Sequence, residues 1–332
     1  MTDSRLDVLC IGNAIVDVIA ATDDAFLAQE GLEKGSMRLI DEAEATRLYG
    51  KMGPGREISG GSAGNTAAGV AMLGGRAGFV GQVADDQLGE VYAHDIRSIG
   101  VEFDTPVMAA GRMPTARSLV LVTPDAQRTM NTFLGAAQYL DTEALDEKQV
   151  RDAAILYLEG YLWDPETPRA AMERAIELAH EAGRRVAFTL SDSFCVDRHR
   201  DGFNAIIDEK KVDILFANEV EIVSLTGGSD FDAAVAAASA RVPLLVVTRS
   251  EKGAIAMEAG RRVDVPAEPV DQIVDTTGAG DLFAAGFLAG ISQGRDLEQS
   301  LRMGAIAAAE VISHYGARPE ADLKALVAEK LG

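Results

Sequence analysis

The stretch DTTGAGDLFAAGF, residues 275–287, sets a Gly-Ala-Gly turn and a carboxylate directly before a run that is apolar on every side and rich in small residues. Such a run reads as a helix buried between other elements. The glycines leave backbone N–H groups bare at its start, where the helix dipole favours an anion. Asp281 has two readings at this point. It is an N-cap, a position that suits Asp, or it is a base within reach of both a phosphate and a hydroxyl, as phosphoryl transfer requires. Standard phosphate loops are missing: there is no G-x-x-x-x-G-K-[ST], and G-x-G-x-x-G fails because Phe283 stands where its third glycine belongs.

Outward from this turn, short apolar runs alternate with helical patterns. VLCIG, GFVGQV, ILYLEG, RVAFTL, DILFAN and LLVVTR read as buried strands. AGNTAAGVAMLG, RAAMERAIELAHEAG, FDAAVAAASA and LEQSLRMGAIAAAEVISHYG read as helices. The alternation predicts a three-layer α/β core around a mainly parallel sheet, with ligands beyond the carboxyl ends of the strands. Two regions break the rhythm, about 14–45, which opens on IVDVIA, and about 101–133, where strand-like pieces flank a Thr-Pro-Asp turn. They predict a small antiparallel β lid inserted into one domain spanning 1–332, since no linker, low-complexity tract or internal repeat separates them.

Composition narrows the chemistry. The 332 residues are 47% hydrophobic and 5% aromatic, enough for a large aliphatic core. With 31 basic against 52 acidic residues the net charge is −21, which argues against nucleic acid and anionic membranes as partners. A small phosphate ligand stays open, because helix-start N–H groups bind anions whatever the global charge. Cys10 and Cys195 lack metal or disulfide spacing and read as free buried thiols, in keeping with a reducing cytoplasm. His94, His180, His199 and His314 show no ligand spacing and read as surface or capping residues. Asp3, Arg5, Asp7 and Asp17 interrupt any apolar leader, and no run approaches the roughly 18 apolar residues of a membrane span.

Three further clusters have both a plain and a functional reading. ISGGSAGNTAAGVAMLGG is a glycine turn before a tightly packed helix with a solvent-facing Asn65, or a substrate loop in which glycines admit a ligand and a carboxamide holds hydroxyls. In CIGNAIVDV, Asp17 sits in an apolar run and needs a partner, which a ligand hydroxyl could supply. DILFANEVEI carries Asn218 and Glu221 after a buried strand; the plain reading, an N-capped helix with an exposed Glu, is preferred for N-x-x-E alone.

In this order the motifs resemble the ribokinase-like (PfkB) carbohydrate and nucleoside kinases over nearly the whole chain, and DTTGAGD is close to that family's D-T-x-G-A-G-D signature. Within the family GNAIVDV, GGSAGNT, TARSLVLVTPDAQRTMNTFLGAAQYL, TLSDSFCVDRHR and VDILFANEVE are similar to segments of adenosine kinases. The resemblance implies Asp281 as catalytic base, an anion hole from Gly278, Ala279 and Gly280, and Arg128 on the transferring phosphate. It implies Asn13, Asp17, Gly60, Gly61 and Asn65 around the sugar, with Tyr161 and Phe194 as aromatics for a base, Trp163 and Phe133 being equally readable as packing. It places Asn218, Thr248, Gly253 and Thr276 with the glycines at the nucleotide, and Asn218 and Glu221 at Mg²⁺ through water. ATP and Mg²⁺ follow as cofactors, with a monovalent cation left open. A nucleoside or sugar is the implied substrate, within purine salvage if it is adenosine, and a monomer is favoured over a lid-mediated homodimer. Two positions depart from the adenosine-kinase pattern: Thr277 stands where Asn is usual, as in sugar kinases, and Ser250 in TRSEKG stands where Gly is frequent. The expected activity is phosphorylation of a primary hydroxyl, most plainly the 5′-OH of adenosine. A sugar kinase acting on ribose, fructose or a related furanose, and a non-catalytic nucleotide- or sugar-binding regulator, are the alternatives.

Overall fold

A computed structural model describes residues 6–125 and 127–332. Asp3 and Arg5, used above against an apolar leader, lie outside the described residues. Among the described residues thirteen strands form two sheets. The larger holds β1 (Leu6–Ile11), β5 (Ala77–Val80), β8 (Ala153–Glu159), β9 (Arg185–Thr189), β10 (Ile214–Asn218), β11 (Leu244–Thr248), β12 (Ala254–Glu258) and β13 (Arg261–Val265), in the order β13-β12-β11-β10-β9-β8-β1-β5. The smaller holds β2 (Ile15–Ala21), β3 (Met37–Leu39), β4 (Gly55–Gly60), β6 (Ala116–Val122) and β7 (Arg128–Phe133), in the order β3-β7-β6-β2-β4.

All six runs read as buried strands lie in the larger sheet, where they pair in parallel. Only the β11-β12-β13 edge is antiparallel. Their side chains alternate between two apolar layers. Val8, Cys10, Tyr157 and Phe216 belong to one, Leu9, Ile11, Leu158 and Phe188 to the other. Strands buried on both faces therefore show no polar alternation, which is why they read as continuous runs. Helices Ser62–Met72, Ala279–Ser292 and Leu297–Val311 pack on the first layer, and Glu166–Glu181 and Ser193–Asp208 on the second. Cys10 and Cys195 are free and buried. No helix among the described residues is long and apolar enough to cross a membrane.

The smaller sheet is mixed, although the sequence pattern suggests an antiparallel lid. β2 with β4 and β6 with β7 are antiparallel, whereas β2 with β6 and β3 with β7 are parallel. The parallel pairings arise because the chain leaves this sheet after β4, visits the core, and re-enters at β6 running alongside β2. β4 falls outside the two rhythm-breaking regions, since its sequence, GREISG, carries only a weak strand pattern. One face of this sheet, with Val16, Val18, Leu119 and Leu121, is buried. The other, with Ile15, Asp17, Ile19, Ser118, Val120, Met130 and Thr132, faces the carboxyl ends of the core strands.

Candidate active site

Between the two sheets lies a cavity of about 750 Å³. The carboxyl ends of β1, β8, β10 and β11 bring it Asn13, Glu159, Asn218 and Thr248, and the start of helix Ala279–Ser292 closes one side.

That helix start is the centre of the site. Its N-cap is Gly278, at φ 80, with no side-chain cap bond. A Cβ there would also come within 2.8 Å of the Ala317 Cβ, so both conformation and packing demand glycine. Asp281 occupies the first turn but does not cap it, so the cap reading is not realised. Its Oδ1 accepts from Ser62 Oγ at 2.6 Å and its Oδ2 from Asn65 Nδ2 at 2.9 Å. Burial pushes the Asp281 carboxyl above its ordinary value, opposed by those two hydrogen bonds and by the positive charge of Arg318. By helix geometry the Gly280 and Asp281 N–H groups have no partner within the helix. A Cβ on Gly280 would meet nothing within 4 Å, so its glycine answers no demand of the protein's own packing.

The loop before this helix is fixed by Asp275. Its carboxylate accepts from Thr277 N at 3.1 Å, Thr277 Oγ1 at 2.8 Å and Gly316 N at 3.0 Å, and pairs with Arg128 Nη1 at 2.7 Å. Arg128 and Asp275 are only 9% and 7% exposed. Arg128 Nη1 also donates to Thr277 Oγ1 at 3.1 Å, while its Nε and Nη2 are buried without a partner among the described residues. Two unpartnered cationic donors beside bare backbone N–H groups make an environment that favours an anion.

Facing them, Asn65 is 5% exposed, which rules out the solvent-facing reading. Its Oδ1 is buried and has no partner among the described residues. Gly61, at φ 84, would drive a Cβ to 2.1 Å from the Asn13 carbonyl oxygen, so only glycine lets the chain turn from β4 into helix Ser62–Met72. Among the described residues no side chain hydrogen-bonds the Asp17 carboxylate. Burial raises it to about 6, against the charges of Arg318 and Arg128.

Three contributors escape sequence reasoning. Glu159 is wholly buried and accepts from Asn13 N at 2.7 Å, Asn13 Nδ2 at 2.6 Å and Ala63 N at 2.8 Å. Burial raises its carboxyl to about 7, although all three donors oppose the rise. Its signal was an acid closing the apolar run ILYLEG, where an unpaired charge cannot be left. Ser62 has no signal beyond its place after two glycines. Arg318, in the loop after helix Leu297–Val311, donates from all three guanidinium nitrogens to Ser59 and Gly64, a link across more than 250 residues that no local pattern carries.

On the opposite rim, Asn218 caps helix Glu219–Thr226 in a complete capping box with Glu221. The helix cap is as read, but Glu221 is 5% exposed, not solvated, and burial raises it to about 7. No group of three acids, histidines or cysteines among the described residues could hold a metal alone. Glu221, the buried carboxylate on this rim of the cavity, suits Mg²⁺, which keeps most of its waters and is held largely by nucleotide phosphates. Thr248 and Thr276 line the cavity; Gly253 does not, and its φ of 87 with a Cβ clash at 2.0 Å against the Val265 carbonyl accounts for it structurally. Tyr161 and Phe194 line the cavity, the latter 75% exposed. Trp163 packs edge-on against Phe188 and Phe203 in the core.

The sequence pattern of the pfkB family carbohydrate kinases matches residues 5–323. An adenosine kinase from Sinorhizobium meliloti has a solved structure that is 48% identical, with a TM-score of 0.91, covering 99% of this chain and 100% of that one. A probable sugar kinase from Rhizobium etli CFN 42 is as similar, at 47% identity and TM-score 0.91, covering 98% and 99%. Among curated relatives, an ATP-dependent ribose-1-phosphate kinase from Halopiger xanaduensis is 32% identical over 278 residues, 80% of this chain and 85% of that one.

Proposed function

Because the chain belongs to the pfkB family of carbohydrate kinases and so is a phosphotransferase with an alcohol acceptor, we propose that it transfers the γ-phosphoryl group of ATP to the 5′-hydroxyl of adenosine or a closely similar nucleoside. The observation that carries the reading is the Asp281 carboxylate, held by Ser62 and Asn65 at a bare helix start that opens on the cavity. For the substrate, support comes from the cavity's roof. Ile15, Ile19, Val120 and Met130 present an apolar face, with Tyr161 and Phe194 at the rim, which suits a heterocyclic base better than a bare furanose. The likeness to the adenosine kinase supports the same reading, and the likeness to the probable sugar kinase supports a furanose as the second. Thr277 carries less weight than its place in the motif suggests, because its hydroxyl is occupied with Asp275 and Arg128.

In this reading Asp281 accepts the proton of the attacking hydroxyl. Each of its oxygens takes one hydrogen bond from the protein, which leaves lone pairs for the substrate. The Gly280 and Asp281 N–H groups and the free Arg128 donors stabilise charge gathered on the transferring oxygens. Asp17 and Asn13 hold sugar hydroxyls, and the smaller sheet excludes water as a competing acceptor. Glu221 would hold Mg²⁺ through its waters; the ion neutralises developing phosphate charge when bound. A monomer and cytoplasmic residence belong to the same proposal.

A panel of nucleosides and sugars, assayed for ATP-dependent ADP release, tests it. Strong turnover of adenosine with none of ribose or fructose is expected. Turnover of a furanose with adenosine inert would replace the nucleoside reading with the sugar-kinase one.

A further inference from the structure

Three consecutive residues after helix Leu297–Val311 touch both halves of the reaction centre. Gly316 N donates to Asp275, and Ala317 packs against Gly278, so these two fix the turn that carries Asp281. Arg318 reaches the other half. Its Nε and Nη2 donate to the Ser59 carbonyl at 3.1 and 2.8 Å, its Nη2 to Ser59 Oγ at 2.9 Å, and its Nη1 to the Gly64 carbonyl at 2.9 Å. Ser59 belongs to β4 of the smaller sheet and Gly64 to the first turn of helix Ser62–Met72. Arg318 therefore brackets Gly61, where the chain passes from one sheet's domain layer to the other. Ser59 is secured on its far side, its N and Oγ both donating to Asp95.

We propose that Arg318 is a positioning residue for phosphoryl transfer: by bracketing Gly61 it fixes Ser62 and Asn65, the two donors that hold Asp281, at a set distance from the Gly278 turn that carries Asp281. The inference rests on Asp281 being the base. The guanidinium also provides the positive charge around which the acids of the site are gathered. Desolvation works against that charge, while Tyr92 and Asp95 of helix Gln87–Ser98, Asp17 of β2 and Asp281 all support it. Arg128 of β7 is a second cation near Asp17, and Glu159 of β8 a further acid near Asp281. Arg318 itself does not line the cavity, so its effect on the reaction passes through these neighbours.

The test is steady-state kinetics across pH on the full chain, using the acceptor with the highest turnover in the panel above. Arg318→Gln is expected to lower kcat with little change in KM for ATP, and to move the acid limb of the kcat profile upward, because Asp281 loses a positive charge that holds its carboxyl down. Arg318→Lys keeps the charge, so its acid limb stays in place, but one ammonium cannot reach both carbonyls as a planar fork does, and kcat falls. Added guanidinium ion should restore part of the activity of Arg318→Ala. Wild-type kcat in Arg318→Gln, or a loss with an unmoved acid limb and no rescue, overturns the inference. If the Gln variant does not fold, Arg318→Lys decides it, and wild-type kcat there counts against the role. Asp281→Asn separates the two claims: an inert Asp281→Asn beside a wild-type-like Arg318→Gln overturns the positioning role alone, whereas an active Asp281→Asn overturns the base and this inference with it.

Discussion

Helices Glu219–Thr226 and Ala279–Ser292 both begin at the rim of the cavity, and each has an acid as its third residue, Glu221 and Asp281. At the first, Asn218 Oδ1 accepts from the N–H groups of Val220 and Glu221, and Glu221 returns to accept from the Asn218 N–H at 2.9 Å. The start is closed by its own side chains. At the second, glycine takes the cap position, no side chain covers the N–H groups, and the acid turns away to another helix. A protein that closes one helix start and leaves the neighbouring one bare has reserved the bare one for something outside itself.

The sharpest way to break this comparison is at the two acids. Asp281→Asn should lower kcat by about 10³ or more with no loss of thermal stability, since it removes a charge that burial opposes. Glu221→Gln should leave the proton transfer intact and raise the Mg²⁺ concentration needed for half-maximal activity. Equal losses from both variants in kcat alone, at saturating Mg²⁺, would show that the two starts do not differ in kind.

Gly280 supplies a finer test. Ala at this helical position has room in the protein and should leave stability unchanged or raise it by up to about 1 kcal/mol. Its methyl group would stand where a phosphate approaches, so activity should fall by at least about tenfold. Activity retained alongside higher stability would mean the bare N–H groups are not used. At the closed start the effects reverse: Asn218→Ala should cost about 1–2 kcal/mol of unfolding free energy, read from urea unfolding, because it strips the cap and one partner of a buried carboxylate.

The acids also set a pH dependence for the fold. Glu159 and Glu221 are raised to about 7 from an ordinary 4.5, and Asp17 to about 6 from 3.8. Between those limits the folded chain holds more protons than the unfolded one, so stability from these groups is fully present below the ordinary values and is lost as pH rises through about 7. The ligand-free protein should melt higher at pH 5.5 than at pH 7.5, and Glu159→Gln should flatten the difference. An unchanged slope in that variant would remove Glu159 from the account.

The larger sheet was legible because each of its six parallel strands is a self-contained apolar run, and the helix of DTTGAGDLFAAGF because its composition is extreme. The roles of Asp281 and Asn218 were legible only as paired alternatives. Both helix starts read as caps; at Asn218 the cap is completed locally by Glu221, whereas at Asp281 the choice depends on Ser62 and Asn65 more than 200 residues away. Glu159 and Arg318 were hidden for the same reason: each satisfies groups from distant segments, so neither leaves a local pattern. The hairpin β12-β13 went unread because Arg261, Arg262 and Asp264 break its apolar signal.

The smallest expected effect lies at Ser250, in the turn after β11, and it inverts the case of Gly280. Gly280 is a glycine where backbone and packing would accept alanine, whereas Ser250 is a serine held at φ 50, in the left-handed region where glycine is favoured. By relieving that strain, Ser250→Gly should stabilise the fold by up to about 1 kcal/mol, the gain being partly offset by the larger entropy glycine loses on folding. Turnover and KM for ATP should stay at wild-type values, because Ser250 does not line the cavity. A urea midpoint that rises with unaltered kinetics fits a strained turn remote from the chemistry. A raised KM for ATP would instead place the Ser250 side chain in nucleotide binding, and would bring this third turn into the comparison as one that the ligand also shapes.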